Sequence, residues 1–419
     1  PPTFIRVLGL LKLAAAKVNM ELGTLEKQLG DSIMLAAQEV VDGKFNDQFV
    51  VDVFQTGSGT STNMNANEVI ANRASQLLGG ELGSKIVHPN DHVNMSQSSN
   101  DIIPTAIHVS ALVSINEELI PAIKKMHAAL ENKSKEFWGV VKTGRTHLQD
   151  ATPIRLGQEF LGYAGQMDLG LKRLAHAQTE LSQVALGGTA VGTGVNTHPE
   201  FARRVCVRLS EMLGVEVHET SSHFQAQSTL DNIVATSGAL KTVAVSLMKI
   251  SNDIRWLGSG PRGGIGEIIL PEVQPGSSIM PGKVNPVIPE SVCQVAAQVI
   301  GNDTAVAVAG QSGNFEINVM MPVAAYNLLQ SIDLLAAASK NLAIQCVNGL
   351  EATSVGPDMV DRGLAIATTL VPHIGYDAAA EIAKEAQATG KTIKEVALVR
   401  TNLPDSDLDR ILDPSSMTE

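Results

Sequence analysis

The chain has 419 residues, 44% of them hydrophobic but only 3% aromatic, and a formal net charge of −12. That hydrophobic fraction excludes disorder, and the length provides for two or three domains with a sizeable core. A pI near 5.3 without any Lys/Arg cluster excludes a nucleic-acid binder, and charged residues at 18%, interrupting the apolar runs, argue against membrane-spanning helices.

The apolar residues are aliphatic, and Ala- and Leu-rich stretches with few β-branched or aromatic alternations predict long packed helices. Residues 1–100 are the most punctuated part. Gly57, Gly59, Gly79, Gly80, Gly83 and Pro89 interrupt short helical stretches, the first with Leu8, Leu11, Ala15 and Val18 on one face. Two runs, 56–67 and 88–101, are nearly devoid of apolar residues and read as loops. From Ile102 to about Asn132, the stripe Ile107, Leu112, Ile115, Leu119, Ile123 and Met126 predicts a helix. Pro104 sits near its start, and Pro121 predicts a kink or a break. Further helices are expected at 155–186, 226–257, 288–309 and 322–346, parted by Gly-rich breaks at 186–196, 258–267 and 274–283. Helices of that length exceed what one subunit's core needs, which points to a bundle shared between subunits. Beyond residue 350 the helices shorten and charge returns. The expected class is all-α, with domains at 1–100, 101–353 and 354–419. Cys206, Cys293 and Cys346 are odd in number and widely spaced, which suits a reducing compartment rather than a disulfide framework.

Four polar segments stand out: TGSGTSTNMN (56–65), HPNDHVNMSQSSND (88–101), KTGRTHLQD (142–150) and PGSSIMPGKVNP (275–286). Any one alone reads as a solvated loop or a helix cap. Together, at the boundaries of helical stretches, they supply the Ser/Thr/Asn donors that hold small anions without many cations. The fourth is not a Walker loop. Five residues separate Gly276 from Gly282 where that pattern has four, Val284 replaces the Ser/Thr, and no strand is expected before it. Ser277 could act there as a base if backbone N–H groups and a nearby ammonium, such as that of Lys283, stabilised its alkoxide. His147 in GRTH needs a carboxylate to set its tautomer, and Glu290 is a candidate. His88 and His92 have a metal-like i, i+4 spacing, but Pro89, Asn90 and Asp91 favour a turn and no third ligand is near. No metal site is therefore expected.

The loop GSSIMPGKVNP at 276–286, with GGTAVGTG (187–194), SGPRGGIGEI (259–268) and HIGYDAAAEIAK (373–384), resembles the fumarase/aspartase superfamily across essentially the whole chain. TGSGT (56–60), HPND (88–91), SQSSND (96–101) and GRTH (144–147) are similar to the class II fumarases within it. The nearest alternative, the aspartate ammonia-lyases, carries GAGTS, NPND, QSTND and GRTQ, with Ala in place of Gly282. The resemblance implies three mostly helical domains and a homotetramer with a twenty-helix core. It implies active sites shared by three subunits, no cofactor, and no nucleic-acid or membrane partner. The implied reaction is the reversible hydration of fumarate to (S)-malate, in the cytoplasm or, after removal of a leader, in the mitochondrial matrix. Relatives also carry a further N-terminal stretch with a G-A-Q-T segment ahead of the position of Pro1.

Carried over residue by residue, Ser277 is the base that removes the C3 proton of malate to form an aci-carboxylate. His147, paired with Glu290, handles the C2 hydroxyl through a bound water. Ser58, Gly59, Thr60, Ser98, Ser99, Asn100, Thr146, Ser278, Lys283 and Asn285 match the dicarboxylate-binding positions. Lys85, His88, Pro89, Asn90 and Asp91 match a second, non-catalytic anion site. Lys85 stands there in place of the usual Arg, keeping the charge and losing the guanidinium fork.

Overall fold

Leu8, Leu11, Ala15 and Val18 share the buried side of the first helix, α1 (Pro2–Glu21), in a computed structural model that describes residues 1–418. Ile33, Ala37 and Val40 of helix α2 (Lys27–Val41) form a core cluster with Ala16 of α1. Helix α3 (Thr60–Leu77) adds Ile70, Ala71 and Ala74. Residues 60–67, expected as loop, form the first two turns of α3. They are polar because Asn63 turns inward to other amides and hydroxyls rather than outward to water. Ser and Thr are also tolerated in a first turn, whose N–H groups have no helical partner.

Helix α4 (Ser99–Ser114) is buried on every side from Asp101 onward. Ser98 caps it in a capping box, accepting from the Asn100 N–H while the Asp101 carboxylate accepts from the Ser98 N–H. The break predicted at Pro121 is a single wide turn at Ile115–Leu119, after which α5 (Ile120–Glu136) continues. Pro121 has no N–H and its ring crowds the carbonyl four residues back, so the hydrogen-bond ladder widens just before it.

An antiparallel hairpin follows, β1 (Val141–Thr146) and β2 (Gln149–Arg155), which composition did not announce. The helical run then resumes with α6 (Leu156–Leu181), α7 (Phe201–Leu213), α8 (His223–Ser228), α9 (Asp231–Leu257), α10 (Val287–Gly310) and α11 (Met321–Gln345). Short strand pairs tie the connections: Gln183–Val184 with His218–Glu219, Ile268–Ile269 with Glu351–Ala352, and Gly313–Asn314 with Ile317–Asn318. Beyond α11 the helices are short, and Ile366, Leu370, Ile382, Val396 and Leu408 form a cluster of their own.

Two compact units emerge. The first comprises Pro1–Ile123, Leu169–Val245 and Gln294–Ala337; the second comprises Lys124–Asp168, Ser246–Cys293 and the chain from Ala338 on. One sequence expectation needs correcting. Ser99–Glu136, Asp231–Leu257 and Val287–Gly310 are each long and apolar enough to cross a membrane. Charge is confined enough in each to leave a long apolar window, and in α10 only Glu290 and Asp303 carry charge.

Candidate active site

In the first unit, the polar residues before α3 are drawn into a tight turn. Gly59 adopts a left-handed conformation, with φ of 73°, immediately before Thr60, and the Ser58 and Thr60 hydroxyls are 2.8 Å apart. Asn63, one turn into α3, donates from Nδ2 to Ser99 Oγ at 3.0 Å. The same unit holds Ser98, Ser99 and Asn100 at the start of α4, all half-buried. Asn100 is held from its side chain, which donates to the Ala190 carbonyl at 2.7 Å. The structure thus joins TGSGTSTN to SQSSND, and SQSSND in turn to the Gly-rich segment around residue 190.

Asp101 is the pivot of this arrangement. One carboxylate oxygen accepts from Ser98 N–H, and the other from Gly187 N–H at 3.1 Å and Thr189 N–H at 2.9 Å. Burial pushes its carboxyl up to about 6, against the pull of those three donors and of Lys12. Burial likewise pushes the Lys12 ammonium down to about 7, with Asp101 opposing. Neither residue was singled out from sequence. The available signal was a lone lysine in the apolar run LGLLKLAAA, on the face of α1 that must be buried.

The HPND segment forms the turn its proline predicts, Pro89–Val93, capped by His88, whose Nδ1 accepts from the Asp91 N–H at 3.1 Å. His92 Nδ1 accepts from the His88 N–H at 2.9 Å, so both rings spend a nitrogen on the backbone. Lys85, Asn90 and Asp91 are exposed around this turn and Pro89 is buried. Among the described residues, no three His, Cys, Asp or Glu side chains converge as a metal site requires.

In the second unit, His147 and Leu148 form the two-residue turn of the β1–β2 hairpin, with left-handed φ values of 57° and 60°. That geometry matches the twist of paired strands and projects His147 and the neighbouring Thr146 into solvent. The hairpin is anchored below its tip. The Lys142 ammonium is buried between Glu267 at 2.7 Å and Glu159 at 3.0 Å, and Arg145 reaches the other Glu267 oxygen at 2.7 Å. Burial pushes the Glu159 carboxyl up, partly offset by Lys142.

The signature loop closes on itself in the same unit. A Cβ on Gly276 would lie 1.5 Å from the Lys283 carbonyl oxygen, so only glycine fits, and Asn285 donates from its side chain to the Gly276 carbonyl. Ser277 Oγ accepts from two backbone N–H groups, Met280 at 2.9 Å and Ile279 at 3.2 Å. Ser278 and Lys283 are exposed, and the Lys283 ammonium has no ion-pair partner among the described residues. Glu290 lies in the first turn of α10. Among the described residues, no hydrogen bond or ion pair joins it to His147.

The comparisons with known proteins agree with these motifs. Residues 3–301 match the lyase family model, and residues 366–419 match the model of the fumarase C C-terminus. The chain is 51% identical to fumarate hydratase class II 2 of Bradyrhizobium diazoefficiens, across 100% of the chain and 89% of that relative. It is 52% identical to the mitochondrial fumarate hydratase 1 of Arabidopsis thaliana, across 100% of the chain and 85% of that relative. The crystal structure of a class II fumarase from Schistosoma mansoni superposes with a TM-score of 0.97 at 38% identity, covering 100% of this chain and 91% of the other.

Proposed function

The chain belongs to the class II fumarate hydratase family of lyases, and from that premise we propose that it interconverts fumarate and (S)-malate through the polar loops of its two units. The observation that carries the chemistry is the pair of backbone N–H groups on Ser277 Oγ. Two donors aimed at a hydroxyl oxygen lower the cost of its alkoxide, and the Lys283 ammonium six residues on adds to the field. In the dehydration direction the Ser277 alkoxide takes the C3 proton of malate. The electron pair left on carbon delocalises into the adjacent carboxylate as an aci-carboxylate. That end now carries two negative charges and the intermediate three, one more than malate, and Lys283 and Asn285 are the donors assigned to the added charge. The C2–O bond then breaks as a proton reaches the departing hydroxyl from His147 through a water, leaving fumarate and water.

Ser58, Thr60, Ser98, Ser99, Asn100 and Thr146 hold the two carboxylates in this reading, with Gly59 and Ser278 beside them. Lys85, His88, Pro89, Asn90 and Asp91 form the second anion site. His147 and Glu290 are not bonded within one chain, and their pairing is assigned to contact between copies. The assembly proposed is a homotetramer with three copies contributing to each site, and with 1–100, 101–353 and 354–419 as its domains. The exposed apolar sides of α9 and α10 support it. The location proposed is the cytoplasm, or the mitochondrion that the Arabidopsis relative's name states.

Loss of the fumarate absorbance band on adding the protein, with malate formed and no metal supplied, tests the reaction. A purified tetramer inert towards both acids, or one releasing ammonia from L-aspartate, overturns it. Ser277→Ala is expected to lower kcat at least ~100-fold with a much smaller change in KM. A near-normal rate would remove Ser277 as the base.

A further inference from the structure

Ser99 is reached from inside the fold by a directional chain of hydrogen bonds that begins at Lys12. Lys12 Nζ, wholly buried, donates to Asn94 Oδ1 and to Gln97 Oε1, each at 2.9 Å. An ammonium has three hydrogens to donate and no lone pair to offer. Both amides must therefore turn their oxygens to Lys12. Their nitrogens go to carbonyls, Asn94 Nδ2 to Gln97 O and Gln97 Nε2 to Met95 O.

Asn94 Oδ1, fixed as an acceptor, also receives Asn63 Nδ2 at 3.2 Å, and the same nitrogen donates to Ser99 Oγ at 3.0 Å. Turning the Asn63 amide over would set oxygen against oxygen at Asn94. The orientation is kept although it leaves Asn63 Oδ1 buried without a partner. Ser99 Oγ is thereby committed as an acceptor on its inner side, and its hydroxyl hydrogen is left to point outward.

We propose that Lys12 is a positioning residue which, through Asn94 and Asn63, fixes the Ser99 hydroxyl as a hydrogen-bond donor towards an anionic ligand. The inference rests on the reading of Ser99 as a carboxylate-binding residue. Asn63→Asp reverses the last link, because a carboxylate accepts the Ser99 proton and turns it inward. Lys12→Met frees the amides at the start of the chain.

The test is steady-state kinetics with fumarate for Asn63→Asp, Lys12→Met and Ser99→Ala, and for the first two in the Ser99→Ala background. Circular dichroism and size-exclusion chromatography check folding and assembly. In the chain with Ser99 intact, Asn63→Asp is expected to raise KM at least ~10-fold, the scale of a lost hydrogen bond to a charged group, with kcat changed far less. Lys12→Met is expected to act in the same direction. Both increases should largely vanish when Ser99 is alanine, which removes the general effect of an added charge from the comparison. If Ser99→Ala raises KM but Asn63→Asp raises it equally in both backgrounds, or not at all, the polarity inference is overturned and the carboxylate reading survives. If Ser99→Ala leaves KM unchanged, the carboxylate reading itself fails. Should Lys12→Met not assemble, the Asn63→Asp comparison decides alone.

Discussion

His147 and Leu148 occupy a backbone region that L-residues with a Cβ avoid at a cost of roughly 1–2 kcal/mol each. The hairpin accepts that cost because a two-residue turn of this hand sets Thr146 opposite Gln149 and Arg145 opposite Asp150 and lifts the imidazole clear of the strands. The chemistry proposed above falls on His147, not on its neighbour, so the strain at Leu148 is open to relief. Leu148 is 62% exposed, and replacing it removes little packing. Leu148→Asn is expected to raise stability by up to ~1 kcal/mol, since Asn is among the residues that enter this region readily. Leu148→Val should lower it by ~1–2 kcal/mol, because a β-branched side chain is a true outlier there. Denaturant unfolding of the two variants checks the pair, and equal midpoints would show that the turn is not left-handed at this residue.

At the scale of the elements, the hairpin owes its place to Glu267, which holds Lys142 and Arg145 from beyond α9. Neutralising Glu267 leaves the buried Lys142 ammonium with Glu159 as its one remaining carboxylate and takes the ion pair from Arg145, so Glu267→Gln is expected to cost up to ~3 kcal/mol. Lys142→Met with Glu267→Leu should lose much less than the sum of the single changes, as read from guanidinium unfolding of the three variants.

The same ion cluster explains why this hairpin was not legible in the sequence. Its inward residue Lys142 is charged, so the alternation of apolar and polar residues that marks a strand is missing from 141–155. The start of α3 was misread for the same reason, with Asn63 buried among polar partners. Helices α6, α9, α10 and α11 were legible within a few residues, because their aliphatic stripes run between Gly-rich breaks. The loop at 276–286 was legible from its motif, and the structure adds the donors on Ser277. The Lys12 chain was not, since Lys12 and Asn94 stand 82 residues apart and a buried polar residue shows its role only through its partner.

For the whole molecule, the decisive feature is how much apolar helix surface a single chain leaves uncovered. The most apolar stretch of α9 is 44% buried and that of α10 is 39% buried, and Val245 and Val308 on these helices are each 51% exposed. Such length and composition would also suit a lipid environment, but the pairing of these helices with the polar loops to which the dicarboxylate is assigned favours burial against other copies of the chain. A lysine at the centre of such a bundle would be desolvated without a partner, a cost of several kcal/mol repeated in every copy. Val308→Lys is therefore expected to dissociate the proposed tetramer into smaller species that keep their helical circular dichroism and lose turnover. Light scattering after size exclusion, run across a range of protein concentrations with fumarate turnover measured on each fraction, reads both effects. Because Val308 is not among the residues assigned to fumarate, activity lost together with mass reports a site built from several copies. A fully active tetramer carrying Val308→Lys would place this face of α10 outside the interface, and active monomers would end the case for shared sites.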